Sequence, residues 1–450
     1  MKRDYDIIII GTGTAGRTLA GRARSSGLKF AIIDSREYGG TCPLRGCDPK
    51  KVLTGASEAT DWNNRLIGKG AGVKAPLTVD WPSLIEFKRT FTEGYPYEAE
   101  KMFADLGIDM YHGRAWFADK NTVVVGEDEL KGKYIFIATG SKSRKLGIPG
   151  EEYLTTSEDF METEKLPQKI IFIGGGYISF EFAHIARRAG SEVLILHRSE
   201  KPLGPFDPEM VDLLVKASEA AGIKILTNNP VAAVEMENKG LLVRTEFKTG
   251  TASETRTFHA DMVVNGAGRV PDIEDLKLEN AGIKAEKQGI IVDKQMRTSN
   301  PCVYAGGDCV AGGMQLTPVA TLQGKVAASN ILDGDGSEID YTGIPSAVFT
   351  IPVLASVGIN ASKDSDKYRV TFRDRSDWNT TRRAGIGFAA SKVILDENGN
   401  RIMGAHILGP NAEEAINIFA MAIRLNLSIS DLKKVIFTYP TVCSDIPYML

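Results

Sequence analysis

The stretch YDIIIIGTGTAGRTLAGRARSSGLKFAIID, residues 5–34, decides the fold. An apolar run, a glycine-rich turn and a second apolar run are typical of a buried strand, a helix and a parallel strand. Gly11 permits a tight turn, Gly13 lets a pyrophosphate approach the backbone, and Gly16 allows close helix packing. Asp34 stands 18 residues beyond Gly16, where an acidic side chain accepts hydrogen bonds from an adenosine ribose. We expect a dinucleotide-binding unit; a tight strand–helix turn without a ligand is the alternative.

A second copy of this design is QKIIFIGGGYISFEFAHIARRAGSEVLILHRS, residues 168–199. Its loop carries Gly174 and Gly176, with Ser179 in the place of the third glycine. The 23-residue spacing from Gly11 to Asp34, counted from Gly174, leads to His197 followed by Arg198. A carboxylate at this point favours NAD, whereas a nearby arginine accommodates the extra phosphate of NADP. We therefore expect NADPH, with NADH possible; a solvated Arg198 without a ligand is the alternative.

Composition and charge narrow the class of protein. The 450 residues include 54 Lys and Arg against 57 Asp and Glu, a net charge of -3, without a long run of one sign. This balance indicates neither a nucleic-acid footprint nor a polybasic membrane patch. The apolar run at residues 7–10 is far shorter than a signal peptide or a membrane span. We expect a cytoplasmic globular enzyme that binds neither nucleic acid nor membrane.

Two of the five cysteines, Cys42 and Cys47, lie close together. A regular helix rises about 7.5 Å over five residues, farther than the usual Cα separation of a disulfide, about 6.8 Å at most. Pro43 and Gly46 break that regularity, and Pro49 is suited to the first turn of a following helix. A helix N-terminus beside the pair would stabilise a thiolate. A redox dithiol is plausible; two unrelated thiols or half a zinc site are the alternatives.

The segment GGTCPLRGCDPKK, residues 39–51, resembles the redox-disulfide signature of the class I pyridine nucleotide-disulfide oxidoreductases, the family of glutathione reductase, dihydrolipoamide dehydrogenase and mercuric reductase. The resemblance covers nearly the whole chain, in order: residues 11–16, 39–51, 137–140, 174–179, 268–269 and 306–308. It implies an α/β fold with two Rossmann-like domains and a C-terminal α+β dimerisation domain. The implied division is 1–148 and 271–340 for the FAD domain, 149–270 for the NAD(P) domain and 341–450 for dimerisation. A homodimer is implied as well.

The resemblance also implies site residues. Cys42 is similar to the sulfur that attacks the substrate, Cys47 to the one facing the flavin, and Lys50 to the lysine beside the flavin ring. Tyr177 is similar to the aromatic gate of the nicotinamide pocket, and Glu181 to the acid paired with that lysine. The implied cofactor-binding positions are Gly11, Gly13, Gly16, Asp34, Gly40, Thr41, Lys50, Ala115, Thr139, Gly140, Gly174, Gly175, Gly176, Ile178, Glu181, Arg198, Gly268, Arg269, Asp308 and Thr317.

One departure from the family lies near the C-terminus. Disulfide reductases of the family carry His-Pro-Thr-x-x-Glu there, whose His and Glu handle the proton of the substrate thiol. This chain has Tyr439, Pro440 and Thr441, with Ser444 at the Glu position. Tyr439 resembles the tyrosine of mercuric reductase, yet no vicinal cysteine pair follows it, and Cys443 stands alone. Cys443 is either a small buried residue or part of a thiol or metal relay.

We therefore expect an FAD-dependent enzyme that passes electrons from NADPH through Cys42 and Cys47. The acceptor is expected to need little proton transfer: a metal ion, a quinone or an unusual disulfide. One alternative is a disulfide reductase of glutathione or lipoamide type whose base comes from elsewhere. The other is a flavin-containing redox sensor without turnover.

Overall fold

The computed structural model describes residues 1–70, 75–238, 240–249, 252–334, 336–362 and 365–450. Two compact units are present: the first contains 1–52, 86–144 and 269–341, and the second contains 53–85, 145–268 and 342–450. This division is coarser than the four predicted domain segments, which stay a prediction.

The elements are numbered in chain order. The strands are β1 (Lys2–Ile10), β2 (Phe30–Asp34), β3 (Asp109–His112), β4 (Ala115–Phe117), β5 (Thr122–Val125), β6 (Asp128–Ile137), β7 (Ser141–Ser143), β8 (Lys169–Ile173), β9 (Glu192–Leu196), β10 (Ile223–Leu226), β11 (Val231–Glu237), β12 (Gly240–Thr249), β13 (Ala252–Ala260), β14 (Met262–Asn265), β15 (Arg269–Pro271), β16 (Ala285–Glu286), β17 (Gly289–Ile290), β18 (Val303–Ala305), β19 (Ser346–Val348), β20 (Val353–Gly358), β21 (Arg369–Asp374), β22 (Ala390–Leu395) and β23 (Ile402–Gly409). The α-helices are α1 (Thr14–Ala20), α2 (Ala23–Ser26), α3 (Thr41–Arg45), α4 (Cys47–Arg65), α5 (Trp81–Thr92), α6 (Tyr95–Asp105), α7 (Ser157–Phe160), α8 (Tyr177–Arg188), α9 (Pro208–Ala220), α10 (Thr317–Leu332), α11 (Asn379–Arg382), α12 (Ala412–Arg424), α13 (Ile429–Lys433) and α14 (Ile446–Met449).

The first unit is built on a seven-stranded sheet. Its order is β3-β2-β1-β6-β5-β4, and β18 also pairs with β6. The inner strands β2, β1, β6 and β18 are parallel, while β4 and β5 are antiparallel additions. Four consecutive isoleucines of β1, residues 7–10, are buried at the centre, as expected of a strand covered on both faces. The sheet therefore places the loop after β1 at the carboxyl edge of its parallel strands.

The second unit repeats this design and adds antiparallel sheets. The parallel sheet has the order β10-β9-β8-β14, and the loop after β8 leads into α8. A three-stranded antiparallel sheet, β11-β12-β13, follows in the chain. The strand–helix–strand pattern expected for residues 168–199 is thus confirmed.

The C-terminal part forms a five-stranded antiparallel sheet with the order β19-β20-β23-β22-β21. Helix α12 packs on it through Ala415, Ile416 and Phe419, which form one apolar stripe at helical spacing. The α/β fold with a C-terminal α+β part is confirmed. No α-helix within the described ranges is long and apolar enough to cross a membrane.

Candidate active site

The first glycine loop has the tight geometry expected of it. Gly11 has φ +110°, and a Cβ there would lie 2.2 Å from the Ala138 carbonyl oxygen. A Cβ on Gly16 would lie 2.1 Å from the Gly11 carbonyl oxygen, so α1 starts directly against the loop. The nearest atom to a Cβ on Gly13 would be the Gly40 Cα, 4.0 Å away. Gly11 and Gly16 are therefore required by the fold, and Gly13 leaves space beside the start of α1.

Asp34, at the end of β2, is held by a residue that the sequence analysis did not single out. The Thr12 amide donates to Asp34 Oδ2 at 2.8 Å, and the Thr12 hydroxyl donates to the same oxygen at 2.6 Å. The Thr12 hydroxyl also accepts from the Gly39 amide at 3.0 Å. Thr12 thereby ties the loop to the carboxylate and to the turn before Cys42. The ribose role of Asp34 stays a prediction.

Asp308 lies in a polar group that also contains Arg269. The Ser141 hydroxyl donates to Asp308 Oδ2 at 2.9 Å and accepts from Arg269 Nε at 3.0 Å. Burial raises the pKa of Asp308, while Ser141 and the charge of Arg269 oppose that rise. Arg269 was predicted from the family pattern to lie near NAD(P). The structure places Arg269 and Asp308, a predicted FAD residue, on the same Ser141 hydroxyl, and the role of Arg269 toward NAD(P) stays a prediction.

Other predicted cofactor positions of the first unit follow the parallel strands. Gly40 precedes α3, Thr41 begins it, Ala115 begins β4, and Thr139 and Gly140 follow β6. The buried Thr139 hydroxyl has no hydrogen-bond partner within the described part of the chain. An unpartnered buried hydroxyl at this edge is what a polar ligand would satisfy.

The two cysteines stand at the starts of adjoining helices. Gly46 separates α3, which contains Cys42, from α4, which begins at Cys47. Both are free thiols. The Thr317 hydroxyl donates to Cys42 Sγ at 3.3 Å and lies 3.5 Å from Cys47 Sγ. The predicted break at Gly46 and the helix after it are confirmed. Thr317, predicted as a cofactor residue, bridges the dithiol.

The surroundings of the pair favour one sulfur as a thiolate. The hydrogen bond between the sulfurs, together with burial, raises the pKa of Cys42. The same hydrogen bond lowers the pKa of Cys47 to about 6 against the effect of burial, with help from Thr317 and the charge of Lys50. One proton is therefore shared, and it rests mainly on Cys42. The charge of Asp48 raises the pKa of both thiols and so opposes their ionisation.

The second glycine loop is built differently from the first. A Cβ on Gly174 would lie 2.5 Å from the Gly266 carbonyl oxygen, and Gly176 caps α8. Ser179 is fully buried, and its hydroxyl has no partner within the described ranges. A Cβ on Gly266 would lie 2.1 Å from the Ser179 hydroxyl oxygen. Ser179 fits in the place of a glycine because Gly266 opposite it has no side chain.

The end of β9 carries the residues expected to select the nucleotide. A Cβ on Gly175 would lie 2.7 Å from the His197 ring. The Nε2 atom of that ring is 3.0 Å from the Lys201 carbonyl oxygen. Burial lowers the pKa of His197, so the ring is neutral at neutral pH. Arg198 is exposed, whereas the Lys201 ammonium is 3.4 Å from Asp212. Arg198 is therefore the better-placed cation for a phosphate.

Further predicted residues start α8. Tyr177 is exposed, Ile178 is partly exposed, and Glu181 is buried one turn later. Glu181 accepts a hydrogen bond from the Phe349 amide at 2.8 Å. Lys50, its predicted partner, lies on α4 in the first unit, while Glu181 lies in the second. Their pairing stays a prediction, as does a nucleotide role for Gly268.

The C-terminal positions that replace the dyad are in a turn before α14. Tyr439 is 79% exposed. The Ser444 hydroxyl donates to the Thr441 carbonyl at 2.6 Å and accepts from the Thr441 amide at 3.1 Å. Burial raises the pKa of Cys443, which packs against the apolar core of the C-terminal sheet. Ser444 thus completes a turn, and Cys443 has the surroundings of a packing residue.

Comparison with known proteins decides the family. Residues 5–324 match the pyridine nucleotide-disulphide oxidoreductase family, and residues 344–449 match its dimerisation domain. The chain belongs to this family. It is therefore an FAD-dependent oxidoreductase that uses NAD(P)H, and the family predicted from the sequence is confirmed.

Several relatives within the family match over the full chain. A glutathione reductase from Burkholderia cepacia is 32% identical over 99% of this chain and 98% of its own. A mercuric reductase from Bacillus cereus is 30% identical over 98% of this chain and 70% of its own. Among solved structures, the HOCl-induced flavoprotein disulfide reductase RclA from Escherichia coli, as its Cu(II) complex, matches with a TM-score of 0.86 at 26% identity and 99% coverage of both chains.

The residues of the first unit fit FAD, the cofactor of the family. The space at Gly13, the unpartnered Thr139 hydroxyl and the carboxylate of Asp308 offer a phosphate approach, a hydroxyl partner and a hydrogen-bond acceptor. When bound, FAD supplies two-electron transfer between the nicotinamide and the dithiol. Lys50 and Thr317 then act on the sulfurs: both stabilise the Cys47 thiolate.

Proposed function

We propose that the enzyme takes electrons from NADPH and delivers them, through Cys42 and Cys47, to an acceptor that needs no proton relay, with a metal ion or a quinone as the preferred class. The observation that carries the proposal is the replacement of the family's His and Glu by Tyr439 and Ser444. A positioned acid–base group is worth roughly 10² to 10⁴ in rate for thiol release. A relative named mercuric reductase and the Cu(II) complex of RclA support a metal ion.

The chemistry at the dithiol balances without that relay. The two sulfurs give up two electrons and form the disulfide. Two Cu(II) ions take up one electron each, or one quinone takes up both electrons together with two protons from solvent. The single proton that Cys42 and Cys47 share leaves to solvent. No sulfur of a substrate has to be protonated as a leaving group. An ordinary disulfide substrate, in contrast, releases a thiolate that must gain a proton.

Preference for NADPH belongs to the same proposal. Arg198 is exposed at the end of β9, and the chain has no carboxylate at the position matching Asp34. We also infer a homodimer, supported by the dimerisation domain at residues 344–449. A cytoplasmic location suits a dithiol that must be reduced again after each turnover.

The test restores the missing dyad. We expect Tyr439→His with Ser444→Glu to raise turnover of glutathione disulfide by about 10² or more, since an acid–base group returns. NADPH-dependent reduction of Cu(II) or of a soluble quinone should stay within about twofold. The matched control is Tyr439→Phe with Ser444→Ala, which changes the same positions without adding a base.

The second candidate function is that of a disulfide reductase. Its support is the 32% identity to a glutathione reductase. Rapid turnover of glutathione or lipoamide disulfide by the wild type, above its rate with metal ions and quinones, would contradict the proposal and establish this alternative.

A further inference from the structure

A half-buried cation, Arg17, lies near the dithiol and has no part in the mechanism so far. Arg17 is on α1, one turn beyond Gly13, and its amide donates to the Gly13 carbonyl at 2.9 Å. A Cβ on Gly40 would lie 2.4 Å from Gly13 Cα, so the start of α1 touches the turn that leads to Cys42. The half-buried Arg17 side chain therefore stands near the first sulfur.

An aromatic ring holds the guanidinium in place. Arg17 donates a hydrogen bond to the Tyr95 hydroxyl, and its guanidinium carbon is 5.6 Å from the centroid of the same ring. The ring itself rests on Gly39, where a Cβ would be 2.8 Å from Tyr95 Cδ1. The Arg17 Nε is buried and has no partner within the described ranges. Tyr95 thus fixes the charge beside the Gly39–Cys42 turn.

Two acidic groups lie within electrostatic reach of Arg17. They are Cys42 and Asp48, and both raise the pKa of Arg17 against the larger opposite effect of burial. Arg17 in turn opposes the rise that burial causes in the pKa of Asp48. The cation therefore acts on Cys42 directly, and it also offsets the carboxylate that disfavours a Cys42 thiolate.

We propose that Arg17 is a positioning residue that shifts the shared proton of the dithiol from Cys42 to Cys47, so that Cys42 can attack the acceptor as a thiolate without an external base. The transfer is internal: the Cys42 S–H bond breaks, the Cys47 S–H bond forms, and neither sulfur changes oxidation state. Arg17 favours the charge on Cys42, while Lys50 favours it on Cys47. The inference rests on the proposed function, because it supplies what the missing histidine supplies elsewhere in the family.

Groups other than Arg17 also influence the charge on Cys42, and they decide which residue should be changed. The charged and titratable groups that act on Cys42 are Arg17 from α1, Cys47 and Asp48 from α4, and the hydroxyl of Thr317 from α10, whereas Lys50 acts on Cys47. On its own helix, the Arg45 guanidinium is 3.0 Å from the Glu37 carboxylate. Since that pair is internally neutral, Arg17 is the cation to change.

The experiment measures the alkylation rate of Cys42 by iodoacetamide in the NADPH-reduced holoenzyme at pH 7, with mass spectrometry of the Cys42 peptide. We expect Arg17→Gln to slow this reaction about tenfold, which corresponds to about one pKa unit. Arg17→Lys should retain most of the rate because it keeps the charge. Tyr95→Phe should slow it by about twofold to threefold. The matched control is Arg22→Gln, which removes an exposed arginine paired with Asp333 just beyond α1.

A second variant keeps the test decisive if Arg17→Gln does not fold. Asp48 is exposed, and Asp48→Asn should speed Cys42 alkylation severalfold because it removes the charge that Arg17 offsets. Folded, FAD-containing Arg17→Gln with a rate within twofold of the wild type would overturn the inference, as would an unchanged rate in Asp48→Asn. Wild-type failure to reduce metal ions or quinones, with the alkylation effects present, would instead reject only the proposed function.

Discussion

The two glycine loops share one design and reach tight packing in opposite ways. In the first loop, Gly16 is indispensable, because a Cβ would lie 2.1 Å from the carbonyl oxygen of Gly11. In the second loop the matching residue, Ser179, carries a side chain, and its hydroxyl faces Gly266, where a Cβ would lie 2.1 Å away. The first loop therefore needs a glycine in the helix itself, whereas the second loop accepts a serine because the residue facing that serine is a glycine.

The loops differ again at the residue that follows the second strand. Asp34 is anchored by two hydrogen bonds from Thr12, a residue of the loop itself. His197 packs over Gly175 and leaves Arg198 as the exposed cation. The first unit thus presents an anchored carboxylate and the second an exposed guanidinium, which is the difference expected between a ribose hydroxyl and a phosphate as ligands.

The largest effect is expected when the serine of the second loop is placed in the first. Gly16→Ser would force the side chain against the Gly11 carbonyl, where the backbone has to move, at a cost of about 3 kcal/mol or more. We expect loss of FAD and a clear fall in Tm. Gly21→Ser is the control, since a Cβ there meets nothing closer than 3.5 Å. A Gly16→Ser protein that keeps stoichiometric FAD would show that the loop can open.

The next effect concerns the exposed guanidinium. A hydrogen bond to a charged group is worth about 1.5–3 kcal/mol, so we expect Arg198→Glu to raise the KM for NADPH by about 10- to 100-fold, with little change for NADH. Lys201→Gln is the matched control and should change the KM by less, because Lys201 is near Asp212. An equal increase for both nucleotides would mean that Arg198 does not contact the extra phosphate.

The two units should also differ in their response to pH. The pKa of Cys47 is lowered to about 6, so its reactive thiolate is present above pH 6 and is lost as the pH falls below that value. Alkylation of Cys47 in the reduced enzyme should therefore be half-maximal near pH 6. The affinity for NADPH should show no matching step above pH 6.5, because burial keeps His197 neutral. A midpoint above pH 8 would contradict the predicted thiolate.

The smallest effect is expected at Ser179. Its buried hydroxyl lacks a partner, so Ser179→Ala should raise Tm slightly, by about 1–2 °C. Ser179→Gly, which copies the first loop, should lower Tm instead, since glycine inside a helix costs about 1 kcal/mol. A lower Tm for the alanine variant would indicate that the hydroxyl is used after all.

Much of this architecture follows from local sequence. The runs at residues 7–10 and 170–173 are long enough and apolar enough to predict central parallel strands, and each glycine loop locates the helix that follows. The dithiol region was also predictable, because Gly46 and Pro49 constrain the backbone within a few residues of Cys47. These features depend on neighbours in the chain, which a single sequence displays directly.

The unpredicted features depend on contacts between distant segments. Thr317 meets sulfurs that lie 275 and 270 residues away, and no local pattern around it indicates a thiol partner. Arg17 and Tyr95 stand 78 residues apart. The sequence around Arg269 does not distinguish a place near FAD from one near NAD(P). Only the fold shows that Arg269 lies beside Ser141 and Asp308. The family pattern predicts which residues belong to the site, whereas their hydrogen-bond partners depend on how distant segments pack together.

The position of Thr317 has a consequence for how charge moves in the dithiol. A threonine side chain is stiff about χ1, so the hydroxyl oxygen stays 3.3 Å from one sulfur and 3.5 Å from the other while its hydrogen rotates freely. Rotation of that hydrogen is far faster than any domain motion. The hydroxyl can therefore donate its hydrogen bond to whichever of the two sulfurs carries the negative charge. Charge can pass between Cys42 and Cys47 without displacing a single heavy atom of the protein.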